Sequence, residues 1–172
     1  MKVKNLEESE CRQILTKARL GRLACALDGQ PYVVPFSFAY AEGDDIYAFS
    51  TAGQKIEWMR RNPKVCLEVE DIADKQNWTT IIVFGHYEEL PDAPEFDDER
   101  TRARELLAKS PTWWQPAYFV GSERKELEEV PVFFKIVIDK ITGHHSFNEN
   151  LDAIIPPGQP GALKKKRVRG LW

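Results

Sequence analysis

The sequence predicts a mainly β fold: a six-stranded antiparallel barrel with peripheral helices, in an α+β arrangement. Three observations carry this. Six segments alternate apolar with polar residues or form short apolar-aromatic runs, the two signatures of strands. Compact turn signals, Asp28-Gly29 and Glu42-Gly43-Asp44-Asp45, join neighbouring strands at hairpin spacing. The helical patterns are short and fit at the ends of a sheet.

Asn5, with Glu8 three residues on, reads as the capped start of a first helix. Cys11, Ile14, Leu15 and Ala18 follow the spacing of one helix face, and Leu20-Gly21 ends it. Arg22–Leu27 is the first strand and Pro31–Tyr40 the second, with Tyr32, Val34, Phe36, Phe38 and Tyr40 on one face. Pro35 has no amide hydrogen for a ladder. The second strand is therefore an edge, is bulged, or turns its backbone toward something else, a ligand among the candidates. Ile46–Ser50 is the third strand. Gln54–Arg61 winds about two helical turns, with Ile56 and Met59 on one side, and Asn62-Pro63 stops it. Val65, Leu67 and Val69 mark the fourth strand.

After the polar loop Asp71–Asn77 comes the fifth strand, Trp78–Leu90. Trp78, Thr80, Ile82, Phe84 and His86 point one way, and Thr79, Ile81, Val83 and Tyr87 the other. Gly85 marks a bulge or a close approach. Asp97 or Asp98 caps a helix that runs to about Lys109, with Ala103, Leu106 and Leu107 as its apolar stripe. Trp113, Trp114, Tyr118 and Phe119 follow, as core, dimer contact or a lid. Val130–Asp139 is the sixth strand. The tail from Thr142 carries no periodic pattern. Residues 1–143 therefore read as one domain, and 144–172 as an irregular extension with a basic tail at Lys164–Lys166, Arg167 and Arg169.

Apolar residues at 42% and charged residues at 30% describe a globular chain long enough for one core. No run approaches the roughly 18 apolar residues of a membrane span, and the N-terminus lacks the apolar core of a signal peptide. A cytoplasmic location with no membrane partner is expected. With 24 basic and 27 acidic residues the net charge is −3, which argues against a nucleic-acid partner. Cys11, Cys25 and Cys66 are odd in number with no close pair, so structural thiols are expected, with no disulfide framework or metal site. His144 and His145 are adjacent in an extended stretch and point apart, so they do not make a paired ligand set.

The chemically suggestive stretch is the turn between Ser50 and Lys55. Two hydroxyls, Ser50 and Thr51, and Gly53 stand just before a helix start, and Lys55 lies in its first turn. Free amides and the positive end of the helix dipole attract a phosphate there. An ordinary helix cap with a solvated lysine is the alternative from spacing alone.

The order PYVVPFSFAY, DDIYAFSTAGQKIEWMRRNPKVCLEVE and WTTIIVFGHYEEL, after the opening GRLACALDGQ, resembles the FMN-binding split-barrel proteins of the pyridoxamine 5′-phosphate oxidase-like family, near the nitroimidazole-resistance branch. The resemblance implies a six-stranded split barrel, a homodimer with flavin at its interface, and FMN as cofactor. It implies that Val34, Pro35, Phe36 and Ser37 run along the flavin, partly through backbone groups. Ser50, Thr51, Gln54 and Lys55 fall at its phosphate and ribityl chain. Trp78, Thr79 and Thr80 fall where polar groups approach the ring. It further implies an oxidoreductase, with a small-molecule substrate or a nicotinamide reductant as partner. A non-catalytic flavin or haem binding or sensing protein is the alternative.

The departures are specific. The true oxidases carry arginine at the position of Val33 and often at Gln54, so Lys55 is left as the main cation, with Arg22 or Arg60 as possible helpers. No arginine–histidine constellation follows Thr142, so pyridoxamine phosphate oxidation is not expected. Ala48-Phe49 stands where the nitroimidazole-resistance branch often has histidine.

Overall fold

The structure is a computed structural model and describes residues 1–41, 43, 45–109 and 131–147. Its elements run β1 (Lys2–Asn5), α1 (Glu8–Leu15), β2 (Leu20–Leu27), β3 (Gln30–Ser37), β4 (Ala39–Ala41), β5 (Asp45–Ser50), α2 (Gln54–Arg61), β6 (Lys64–Ile72), β7 (Trp78–Glu89), a 3-10 turn (Pro94–Phe96), α3 (Asp97–Ala108) and β8 (Val132–Phe147).

The expected strand over 31–40 breaks at Phe38, where the ladder to β2 ends in a bond from the Phe38 amide to the Arg19 carbonyl at 3.1 Å and Ala39 begins a new pairing with β5. That break shapes the sheet. The strand order is β3-β2-β6-β7-β8-β5-β4, with β1 beside β8, and every pairing is antiparallel. The two ends of this path, β3 and β4, are consecutive in the chain. The sheet must therefore curl upon itself. Among the described residues it does not close by hydrogen bonds, because there β3 pairs with β2 alone and β4 with β5 alone. The result is a split barrel. Its slit lies between the free edge of β3 and the half of β5 beyond Tyr47, which β4 does not cover.

Among the described residues eight strands form where six are expected. Part of the excess is the break at Phe38. The rest is β1, whose sequence KVKN carries no apolar alternation and is exposed throughout; it is held by backbone pairing of Lys2–Asn5 to His144–Phe147. This pairing also carries β8 through His144 and His145 to Phe147, past the expected strand end at Asp139. The first helix is displaced for the same reason. Asn5 belongs to β1, and the helix starts at Glu8, where the Glu7 amide donates to the Glu10 carboxylate at 2.8 Å. Leu20 and Gly21 open β2 instead of ending α1. A Cβ on Gly21 would meet the Glu68 carbonyl at 2.5 Å, so the glycine serves close strand packing. The Asp28-Gly29 turn matches expectation, with positive φ at both residues.

The barrel interior is filled by the faces that alternation marked. Phe36, Phe38, Val65, Leu67, Val69, Ile81, Val83, Tyr87, Phe134 and Ile136 are buried together with Ile56 and Met59 of α2. A smaller cluster lies under α3, where Tyr47, Leu90, Ala103 and Phe133 are buried. The register between β7 and β8 shifts at Phe84/Gly85, the bulge Gly85 announces. Cys11, Cys25 and Cys66 are free thiols. Burial pushes all three up from the ordinary thiol range, which suits inert structural residues. Among the described residues no helix is long and apolar enough to cross a membrane. The aromatic segment 113–119 and the basic tail lie outside the described residues.

Gly143 sets how closely α1 packs on β8, since a Cβ there would lie 2.6 Å from Cys11 Sγ and 3.1 Å from Leu6 Cδ1. Gly143→Ala is expected to lower stability by about 1–3 kcal/mol, the range for overpacking a tight contact. Urea unfolding monitored by circular dichroism measures this.

Candidate functional site

The slit gathers most of the sequence-predicted residues along its two lips. Pro35 sits in an edge strand, opposite Arg22 of β2, so its missing amide hydrogen costs the ladder nothing. Successive residues of β3 alternate in direction. Val34 is half-buried on the inner face, with Phe36 buried beside it, while Pro35 is exposed on the other face. Phe36 stacks on Phe134 with ring centroids 5.7 Å apart, which anchors this lip to the core. Along the free edge the backbone groups that face away from β2 are those of Pro35 and Ser37, since Val34 and Phe36 stand at the hydrogen-bonded positions of the ladder. The Ser37 hydroxyl oxygen is buried and has no hydrogen-bond partner among the described residues, whereas buried polar atoms are nearly always paired.

The other lip ends in the turn before α2. Ser50 closes β5, nearly buried, and its hydroxyl donates to the Thr51 carbonyl at 3.1 Å. The helix begins after Gly53, and no side chain caps it. The hydroxyls of Ser50 and Thr51 thus do not fill the ordinary capping role. The first backbone bond into the helix runs from the Glu57 amide to the Gly53 carbonyl at 3.0 Å, downstream of Gln54, Lys55 and Ile56. Gln54 is exposed and Lys55 half-buried.

Lys55 is the electrostatic centre of this turn. Burial pulls its ammonium below the ordinary lysine range, opposed only by the neighbouring Cys25 thiol of β2. Among the described residues no carboxylate lies within ion-pair distance of it. The two helpers the sequence suggested are engaged elsewhere. Arg60 makes a bidentate pair with Glu89, both contacts 2.6 Å, and Arg22 pairs with Glu70 at 3.2 Å. Strand pairing brings Glu70 to Arg22 and the packing of α2 on β7 brings Glu89 to Arg60, which is why sequence spacing did not reveal them. α2 itself is firmly seated. Ile56 and Met59 are fully buried, the Asn62 side-chain amide donates to the Ala26 carbonyl at 2.8 Å, and Trp58 meets Tyr32 of β3 at 5.7 Å. Tyr32 and Cys25, which couple α2 to β3 and β2, were read from sequence only as strand residues. Nothing in their spacing distinguishes them.

Trp78, Thr79 and Thr80 stand apart. They open β7, and β2 and β6 lie between them and β3, three strand spacings or about 14 Å along the sheet. They also do not share a face. Thr79 turns toward α1 and shares a 2.9 Å hydrogen bond with His145 Nδ1. Trp78 and Thr80 turn to the outer face of the sheet, the face of Phe84. Val34–Ser37 thus lie on one lip of the slit and Ser50, Thr51, Gln54 and Lys55 at the end of the other, with Trp78–Thr80 three strands from β3.

The strand order and the free edges of β3 and β4 define an antiparallel split-barrel β class. Residues 7–145 match the sequence model of the pyridoxamine 5′-phosphate oxidase family, and the chain belongs to that family. An uncharacterized protein of Rhizobium meliloti (strain 1021) is 38% identical over 148 residues, covering 83% of this chain and 95% of its own. The crystal structure of an FAD-binding protein from Mesorhizobium loti aligns with a TM-score of 0.71 at 40% identity, over 86% of this chain and 99% of that one. The FAD-binding protein of Mycobacterium smegmatis aligns with a TM-score of 0.59 at 18% identity, over 82% and 98% of the two chains, and so shares the fold.

Proposed function

We propose that this protein is a homodimeric flavoprotein that seats FMN in the slit and works as an oxidoreductase. Lys55 carries the reading. A half-buried ammonium with no carboxylate beside it is unfavourable unless an anion arrives, and it stands at an uncapped helix start, where amides and dipole favour the same anion. The unpaired Ser37 hydroxyl supplies a second point of attachment along the edge of β3. Relatives that share the fold are named for FAD binding, which supports a flavin in general. The FMN half is common to both flavins. Among the described residues Lys55 is the one cation of the turn with no ion-pair partner, which favours the single phosphate of FMN over a diphosphate.

In this reading Lys55, Ser50, Thr51 and Gln54 hold the phosphate and ribityl hydroxyls, and Val34–Ser37 support the ring. Trp78 and Thr80 reach the ring from the second copy, because within one chain they are too far from β3. A bound flavin supplies hydride or electron transfer, and the protein's part is to orient it, exclude water and tune it by hydrogen bonds. Pyridoxamine phosphate is not the proposed substrate. Arg22 and Arg60 are held by Glu70 and Glu89, which leaves neither for a substrate phosphate.

The test is the absorbance of the purified protein, followed by chromatography of the released cofactor. Flavin bands near ~375 and ~450 nm, release of FMN, and bleaching by NADPH or NADH are expected. A released dinucleotide overturns FMN. A Soret band, or a colourless protein that takes up neither FMN nor FAD, overturns the flavin reading altogether.

A further inference from the structure

The outer face of the sheet, on which Trp78 and Thr80 stand, carries Glu68, an acid with no ion-pair partner among the described residues. Two rows run across it in register: Val33–Ala24–Cys66–Phe84 and Pro35–Arg22–Glu68–Ile82. The first row is apolar and open, with Val33 58% and Phe84 46% exposed. The second places Arg22 opposite Glu68, so the face carries both charges needed to meet a two-fold copy of itself. A second copy is therefore its fitting occupant, and the separated ring residues also require one. Yet the charges do not balance. Arg22 is already paired with Glu70 at 3.2 Å, and among the described residues Glu68 has no cation within ion-pair distance. Among the described residues, β2 places Arg22 near it, β6 Glu70 and the Cys66 thiol, and β7 Thr80, Ile82 and Phe84. Beyond them on β8 lie Lys140, opposite Phe84, and His144, opposite Thr80. A two-fold axis doubles the imbalance at the centre to two guanidiniums against four carboxylates.

We propose that Glu68 makes self-association of this chain proton-linked: a second copy seated on this face takes up a proton at Glu68, so the dimer forms more tightly at lower pH. The inference rests on the homodimer proposed above. Burial, then repulsion from Glu70, already holds the Glu68 carboxyl above the ordinary carboxylate range, against the pull of Arg22. Covering the face buries it further and raises it again. A group raised on association contributes fully below its free-chain value, and that contribution is lost as pH rises through its dimer value. Within that window each linked proton changes the dimer dissociation constant about tenfold per pH unit.

Sedimentation equilibrium of the full chain from about pH 5 to about pH 8 tests this, with Glu68→Gln alongside and circular dichroism to establish that both are folded. The expected result is a wild-type dissociation constant that rises at least about tenfold across the range, and a variant that stays tight and flat. Glu70→Gln, which frees Arg22 to reach Glu68, is expected to reduce the slope. A wild-type dimer of constant affinity, or a Glu68→Gln dimer with an undiminished slope, overturns the proton linkage and leaves the homodimer standing. A monomer at every pH overturns both.

Discussion

Lys55→Ala is expected to weaken FMN binding by about 1.5–3 kcal/mol, the range for a charge-assisted hydrogen bond, or about ten- to 150-fold in dissociation constant. The argument combines three properties of one side chain. It lies in the first turn of a helix with no side-chain cap. It is buried enough that its ammonium is held below the usual lysine range. It has no carboxylate partner among the described residues. An incoming phosphate therefore displaces no existing ion pair, and its attraction to Lys55 is little diminished by water. Stability should change little, because Ile56 and Met59 hold the helix. Binding has a pH signature. The bound phosphate raises the Lys55 pKa, so the lysine contribution is complete below the free-protein value and is lost as pH climbs through the bound value. In Lys55→Ala the alkaline loss disappears. Titration of apoprotein with FMN by flavin fluorescence measures both effects, and an unchanged affinity removes the phosphate from this turn.

Phe134→Ala is expected to cost about 3–5 kcal/mol of stability, as for a fully buried aromatic whose neighbours relax only in part. Phe134 has no solvent exposure. Its ring lies 5.7 Å from Phe36 and 5.1 Å from Tyr87, so it ties the β3 lip of the slit to the interior of the barrel. Its partner across β5 is Ala48, which cannot fill the void. The same change should therefore loosen Phe36 and weaken FMN binding alongside stability. Urea denaturation of the apoprotein, read by tryptophan fluorescence, gives the first quantity. A loss below about 1 kcal/mol contradicts the placement of Phe134 at the centre of the core.

The parts of the fold that sequence revealed are those where burial imposes a period. Val65, Leu67 and Val69 alternate because one face of β6 is interior. Ile56 and Met59 are three apart because α2 rests on the barrel. β1 carries no such mark. It is a polar edge strand, defined by backbone pairing to β8, and its formation takes Asn5 from the helix cap that local chemistry favours. The break at Phe38 is equally silent, since the inward face of the 31–40 segment stays apolar through it. For the site, the turn before α2 was legible because its chemistry is local. The partners of Arg22 and Arg60 were not, because Glu70 and Glu89 are distant in sequence and only tertiary packing brings them near. Trp78–Thr80 illustrate the same limit. Contiguous in sequence, they fall on opposite faces of a strand and away from the slit.

The account depends on the turn at Ser50–Lys55 holding a phosphate. Binding of FMN and of riboflavin, its phosphate-free counterpart, to the same apoprotein is the most direct test. FMN is predicted to bind at least about tenfold more tightly, since the phosphate alone meets Lys55 and the helix amides. Equal affinity for the two would contradict it.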